Sequence, residues 1–204
     1  MNWADNSAPV SDLVNTDLFC GGTVRLTPNF SAVFSADSLT FNGNLAANAF
    51  TFGGSGLTIG TTGIVNYDAE TRTFLNQVTL GTATSTFNTA NGALAFSTLA
   101  LGANALTLAG PASGLSSITT VTSTGSIAVN NATFNANGNV LSSGQITRDA
   151  TGVFTVASGK TPTLQAGGDA TFTGAFATGT TTTDGENFLI TGAGSSVGPV
   201  GFAQ

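Results

Sequence analysis

The chain has 204 residues, 41% of them hydrophobic, enough for one domain with a continuous core, yet only 7% are charged, against roughly 25% in an ordinary soluble domain. The net charge is −6, and the four basic residues, Arg25, Arg72, Arg148 and Lys160, are scattered, which argues against nucleic-acid or anionic-membrane binding because both need clustered cations. There is no His, so Ser-His-Asp and Cys-His catalysis and the common Cys/His zinc sites are excluded, and fifteen Phe with many Thr, Val and Ile argue against a disordered chain.

Residues 1–36 differ from the rest. They hold Trp3, Cys20, Arg25, Pro9 and Pro28, with apolar pairs at Leu13-Val14, Leu18-Phe19 and Val33-Phe34. This stretch is predicted to be an N-terminal cap or an irregular first rung. Its start, Met1-Asn2-Trp3-Ala4-Asp5, has no basic region followed by an apolar one, so a secreted protein would have lost its signal before this numbering begins. No apolar run approaches the roughly 18 residues that span a bilayer, so no membrane insertion is expected. Cys20 is the only cysteine; it is expected to be a small buried hydrophobe rather than a reactive thiol.

Residues 37 to about 110 carry a repeat. Leu57-Thr58-Ile59-Gly60 is followed 21 residues on by Val78-Thr79-Leu80-Gly81 and again by Leu99-Ala100-Leu101-Gly102. Phe52, Phe74 and Phe96 form a second column. Phe87 and Leu108 form a third, with Ile64 or Val65 as predecessor. Within each segment apolar residues alternate with Thr, Ala or Ser, which places the apolar set on one face of a strand. Three such strands per repeat enclose a prism, and successive repeats stack at about 4.8 Å. Asn42-Gly43-Asn44, Gly53-Gly54-Ser55-Gly56, Thr61-Thr62-Gly63 and Asn91-Gly92 supply the corners. The predicted fold is therefore all-β: a right-handed parallel β-solenoid with about three short strands per rung of about 21 residues. The best helix candidate, Asn44 to Ala49, is too short. A β-sandwich is the rival fold, but it has no reason to repeat an apolar column at constant offset.

The solenoid is predicted to span 37–191. Its later strands are looser: Ile118 to Val121, Ser126 to Val129, Ala132 to Asn135, Gln145 to Arg148, Val153 to Val156, Ala170 to Thr173 and Asn187 to Thr191. The Gly/Ser-rich tail, 192–204, is expected to be disordered or to dock as an extended strand on a neighbour.

The segments Ser38-Leu39-Thr40-Phe41, Gly54 to Gly60, Gly63-Ile64-Val65-Asn66, Thr73-Phe74-Leu75-Asn76, Val78-Thr79-Leu80-Gly81, Thr86-Phe87-Asn88 and Asn104 to Gly110 resemble the autotransporter-associated β-strand repeat of bacterial surface and secreted proteins. Asn2-Trp3 is similar to the tryptophan that often precedes such repeats. The likeness is close over somewhat more than a third of the chain. It implies a β-helix displayed outside the cell and implies no chemistry. Members are usually longer, and many end in an outer-membrane barrel or a sorting signal that this sequence lacks; a small stand-alone unit or a processed fragment is expected.

Chemical candidates are few. Asp68 and Glu70, two apart, would share a strand face, with Arg72 beside them, the arrangement of a calcium-assisted polysaccharide-cleaving site; the alternative is a solvated turn in which Arg72 pairs with a neighbouring acid. Asp184 and Glu186 repeat the spacing, but calcium wants six to eight oxygens. The Thr tracts Thr119-Thr120-Val121-Thr122, Thr161-Pro162-Thr163 and Thr180 to Thr183 suggest an ice-binding face, which the sequence Thr58, Thr79, Ala100 does not sustain. No catalytic, cofactor-binding or metal residue is assigned, and no enzyme activity is expected. The expected role is structural: an extracellular or cell-surface subunit associating with itself, head to tail, through its solenoid ends. The alternative is an adhesin-type module for a surface glycan, for which Trp3 and Tyr67 are the only exposed-type aromatics outside the Phe set.

Overall fold

A computed structural model describes residues 8–24, 26–42, 49–111, 115–123, 125–142, 145–149 and 151–156, and beyond them five short strands. The strands are β1 Asp12–Cys20, β2 Asn29–Phe30, β3 Phe34–Phe41, β4 Thr51–Gly54, β5 Leu57–Asn66, β6 Arg72–Leu80, β7 Thr84–Asn88, β8 Leu94–Gly102, β9 Ala105–Ala109, β10 Leu115–Ser123, β11 Ser126–Asn130, β12 Thr133–Ser142, β13 Gln145–Arg148 and β14 Val153–Val156. The five short ones are β15 Thr163–Leu164, β16 Asp169–Phe172, β17 Ala175–Phe176, β18 Leu189–Ile190 and β19 Gly201–Phe202. Every pairing is parallel, and no helix occurs among the described residues. The chain forms a β-solenoid of about five turns with a repeat of about 22 residues. The helix candidate at Asn44 to Ala49 lies, all but Ala49, outside the described residues.

Three ladders run along the solenoid. In the first, Phe52 stands on Phe74 and Phe74 on Phe96, which pairs with Ile118. In the second, Phe34 pairs with Leu57, then Val78, Leu99 and Val121. In the third, Leu18 pairs with Leu39, Ile64, Phe87, Leu108 and Val129. Long strands such as β6 and β8 serve two ladders by turning a corner, visible as a register shift between Phe74 and Gln77.

Side-chain alternation makes the inside. From Arg72 to Leu80 the odd steps, Thr73, Leu75, Gln77 and Thr79, are half-buried or exposed while the residues between them are buried. The Phe column stacks nearly parallel, with centroids 5.0 Å apart at Phe52–Phe74 and 4.9 Å at Phe74–Phe96; like side chains meet because the rungs are in register. Ile64, not Val65, is the inward residue of the third column: Ile64 is fully buried and Val65 half-buried.

The first rung is irregular. Asp12 pairs with Ala36 but Asp17 pairs with Ser38, so β1 bulges between them. Inside the tail, Gly201–Phe202 pairs in parallel with Ala175–Phe176 of the same chain; its remaining residues lie outside the described set.

Candidate functional site

The turn from Tyr67 to Thr71, between β5 and β6, holds the first candidate. Asp68 and Glu70 do not lie on a strand, so they do not share a strand face. Asn66 ends β5 pointing inward and is fully buried. Its side-chain oxygen accepts the Asp68 N–H at 3.1 Å, and its amide donates to the carbonyls of Glu70, at 2.9 Å, and Ala93, at 3.1 Å. That folds the turn back on the prism and carries Asp68 into the interior. Asp68 accepts the Glu70 N–H at 3.4 Å and pairs with Arg72 at 2.6 Å. Glu70 remains half-buried.

Arg72 is 1% exposed. It occupies a position in the first ladder, paired with Leu94 above. Its guanidinium carbon sits 5.2 Å from the Phe41 ring centroid and 5.3 Å from that of Phe50, a cation–π arrangement strengthened by exclusion of water. The pairing foreseen for Arg72 is present, but in the core rather than in a solvated turn. Asp68 has its carboxylate committed to Arg72, so the cluster holds the turn and offers no free carboxylate pair converging on a ligand.

Cys20 lies below this cluster, half-buried against the core. Burial pushes its thiol up to about 12, and the charge of Arg72 opposes that shift. A thiol at neutral pH is a poor nucleophile. Among the described residues no group of three or more His, Cys, Asp or Glu could hold a metal ion. Asp184, Glu186 and Thr180 to Thr183 lie outside the described residues, as do Trp3, Arg25 and Lys160. Thr119 to Thr122 fall in β10, where Val121 is buried; Thr122 pairs with Ala100 and Thr120 with Thr98 and Val140.

The N-terminal end of the solenoid, one of the ends that the sequence singles out, is the second candidate. Among the described residues β1 is paired only with β3. The Cys20 carbonyl accepts Asn42 N–H on that side; strand alternation therefore turns the amides and carbonyls of Phe19 and Asp17 to the open edge. Among the described residues the core is less covered there, although Leu18 is buried. Cys20, Leu26 and Phe30 are only partly buried, whereas Leu39, Phe41 and Ile64 above them are 0% exposed. Val14 and Phe19 are 75% and 69% exposed, and Val10, Val24 and Val33 are exposed as well. Comparison with family models, curated proteins and solved structures found no match.

Proposed function

We propose that the protein is a structural subunit that associates head to tail through the ends of its solenoid, building an extracellular or cell-surface fibre, matrix or layer. The observation that carries this is the open end at β1. Among the described residues it combines a strand paired on one side only, partly buried first-rung side chains at Cys20, Leu26 and Phe30, and exposed Val14 and Phe19. An incoming rung would satisfy the edge and cover the core, and it must be parallel, with an apolar residue at every second position. The chain's own rungs have that form. A heterologous end-to-end contact does not close, so it propagates. With 7% charged residues, the surface supplies few of the Lys gatekeepers that protect edges. The extracellular setting follows the resemblance to autotransporter-associated repeats. An adhesin-type glycan-binding role is the second reading; among the described residues, exposed Tyr67, whose carbonyl accepts the Asn91 amide at 2.7 Å, favours it.

Sedimentation velocity over a wide concentration range tests the association. The wild type is expected to show concentration-dependent species larger than monomer. Val14→Lys with Phe19→Lys, which charges the open edge without touching the core, is expected to remain monomeric. A wild-type monomer at high concentration, or unchanged association of the double variant, contradicts the proposal.

A further inference from the structure

The ladder through Leu57, Val78 and Leu99 does little to distinguish one rung from the next. Val78-Thr79-Leu80 meets Leu57-Thr58-Ile59 below and pairs Val78 and Thr79 with Leu99 and Ala100 above; each partner offers the same apolar, small, apolar order. Along this ladder a chain that looped out one rung would find nearly the same contacts, because each repeat touches only its neighbours. The turn carrying Asp68 and Arg72 is different. Beneath it, the guanidinium needs two ring faces, and Phe41 and Phe50 supply them. Above it, the chain must pass close at Gly92, where a Cβ would stand 2.1 Å from the Asp68 carbonyl oxygen. The Asn66 side-chain amide and the Arg72 backbone N–H both donate to the carbonyl of Ala93, one rung up.

A buried ion pair adds little net stability over an apolar pair of similar volume, because desolvation offsets the attraction. Its larger effect is on wrong arrangements, which strand the charges in the core. We propose that the Asp68–Arg72 turn is a register key: it fixes which rung lies below and which above, and thereby selects a single rung order from a set of nearly equivalent ones. This holds whether or not the ends associate.

The test uses the full chain and two independent readouts. Arg72→Met alone leaves Asp68 buried without its partner and is expected to lower the thermal midpoint strongly. Arg72→Met with Asp68→Asn removes both charges and is expected to recover most of that loss. After refolding from denaturant, hydrogen exchange followed by mass spectrometry should show one isotope envelope for wild-type peptides spanning 72–101 and two or more for the double variant. Phe50→Leu removes one ring beneath the guanidinium without creating a lone charge, and should also split the envelopes. A single envelope in both Phe50→Leu and the double variant overturns the proposal. So does a double variant as destabilised as Arg72→Met alone, since the pair would then serve stability only.

Discussion

Gly63 shows how tightly the rungs approach one another. Its φ is +86°, and a Cβ there would lie 1.8 Å from the Thr86 carbonyl oxygen on the next rung. Gly63→Ala should therefore meet backbone that cannot yield, and cost at least about 3 kcal/mol in a denaturant titration. Gly22 has φ +99° but open space around it; Gly22→Ala should cost only about 1 kcal/mol. Asp149 provides a second test at this scale. Burial raises its pKa, but hydrogen bonds from Asn131, Thr151 and Gly152 outweigh that and hold it below its ordinary 3.8. A depressed carboxylate contributes stability that is complete above its unfolded value and is lost as pH falls through the lower native one. The difference in thermal midpoint between wild type and Asp149→Asn should thus be largest near neutral pH and shrink below pH 3.8. The sequence placed Arg72 beside an acid but not inside the core. What buries it is Phe41 and Phe50, some twenty to thirty residues earlier, and no local pattern carries that contact.

The strands were largely legible because one physical rule, alternation at period two, repeats at a nearly constant offset. Leu57, Val78 and Leu99 share a ladder, as do Phe52, Phe74 and Phe96. The choice between Ile64 and Val65 was open from composition, since both are β-branched; the register decides it. The looser strands from Ile118 onward were also found, as β10 to β14, although their spacing drifts. The bulge in β1 was not legible, because an extra segment in one strand shows only against its partner. Phe74 sits in the middle of the aromatic stack, fully buried between Phe52 and Phe96. Phe74→Ala should cost about 3–5 kcal/mol through lost transfer energy and the cavity left behind. Leu75, next to it but 61% exposed, should tolerate Ala with a change of no more than about 0.5 kcal/mol. Equal losses at the two positions would contradict the inward and outward assignment.

At the scale of the molecule, a parallel solenoid differs from a closed barrel in having two ends. Each internal rung has partners on both sides, so its backbone groups and core residues are satisfied within the chain. Among the described residues, β1 at the N-terminal rung pairs on one side only, with β3, and Cys20, Leu26 and Phe30 there are partly buried while Val14 and Phe19 are exposed. Another copy stacked on the same axis would continue the rung spacing of about 4.8 Å without interruption. Fibre diffraction from concentrated, aligned protein reads that spacing, and negative-stain micrographs of the same sample show the particles that produce it. The expected result is rods many subunits long with a sharp meridional reflection near 4.8 Å. Short, separate particles of single-chain length at every concentration, with no oriented reflection, would contradict end-to-end assembly.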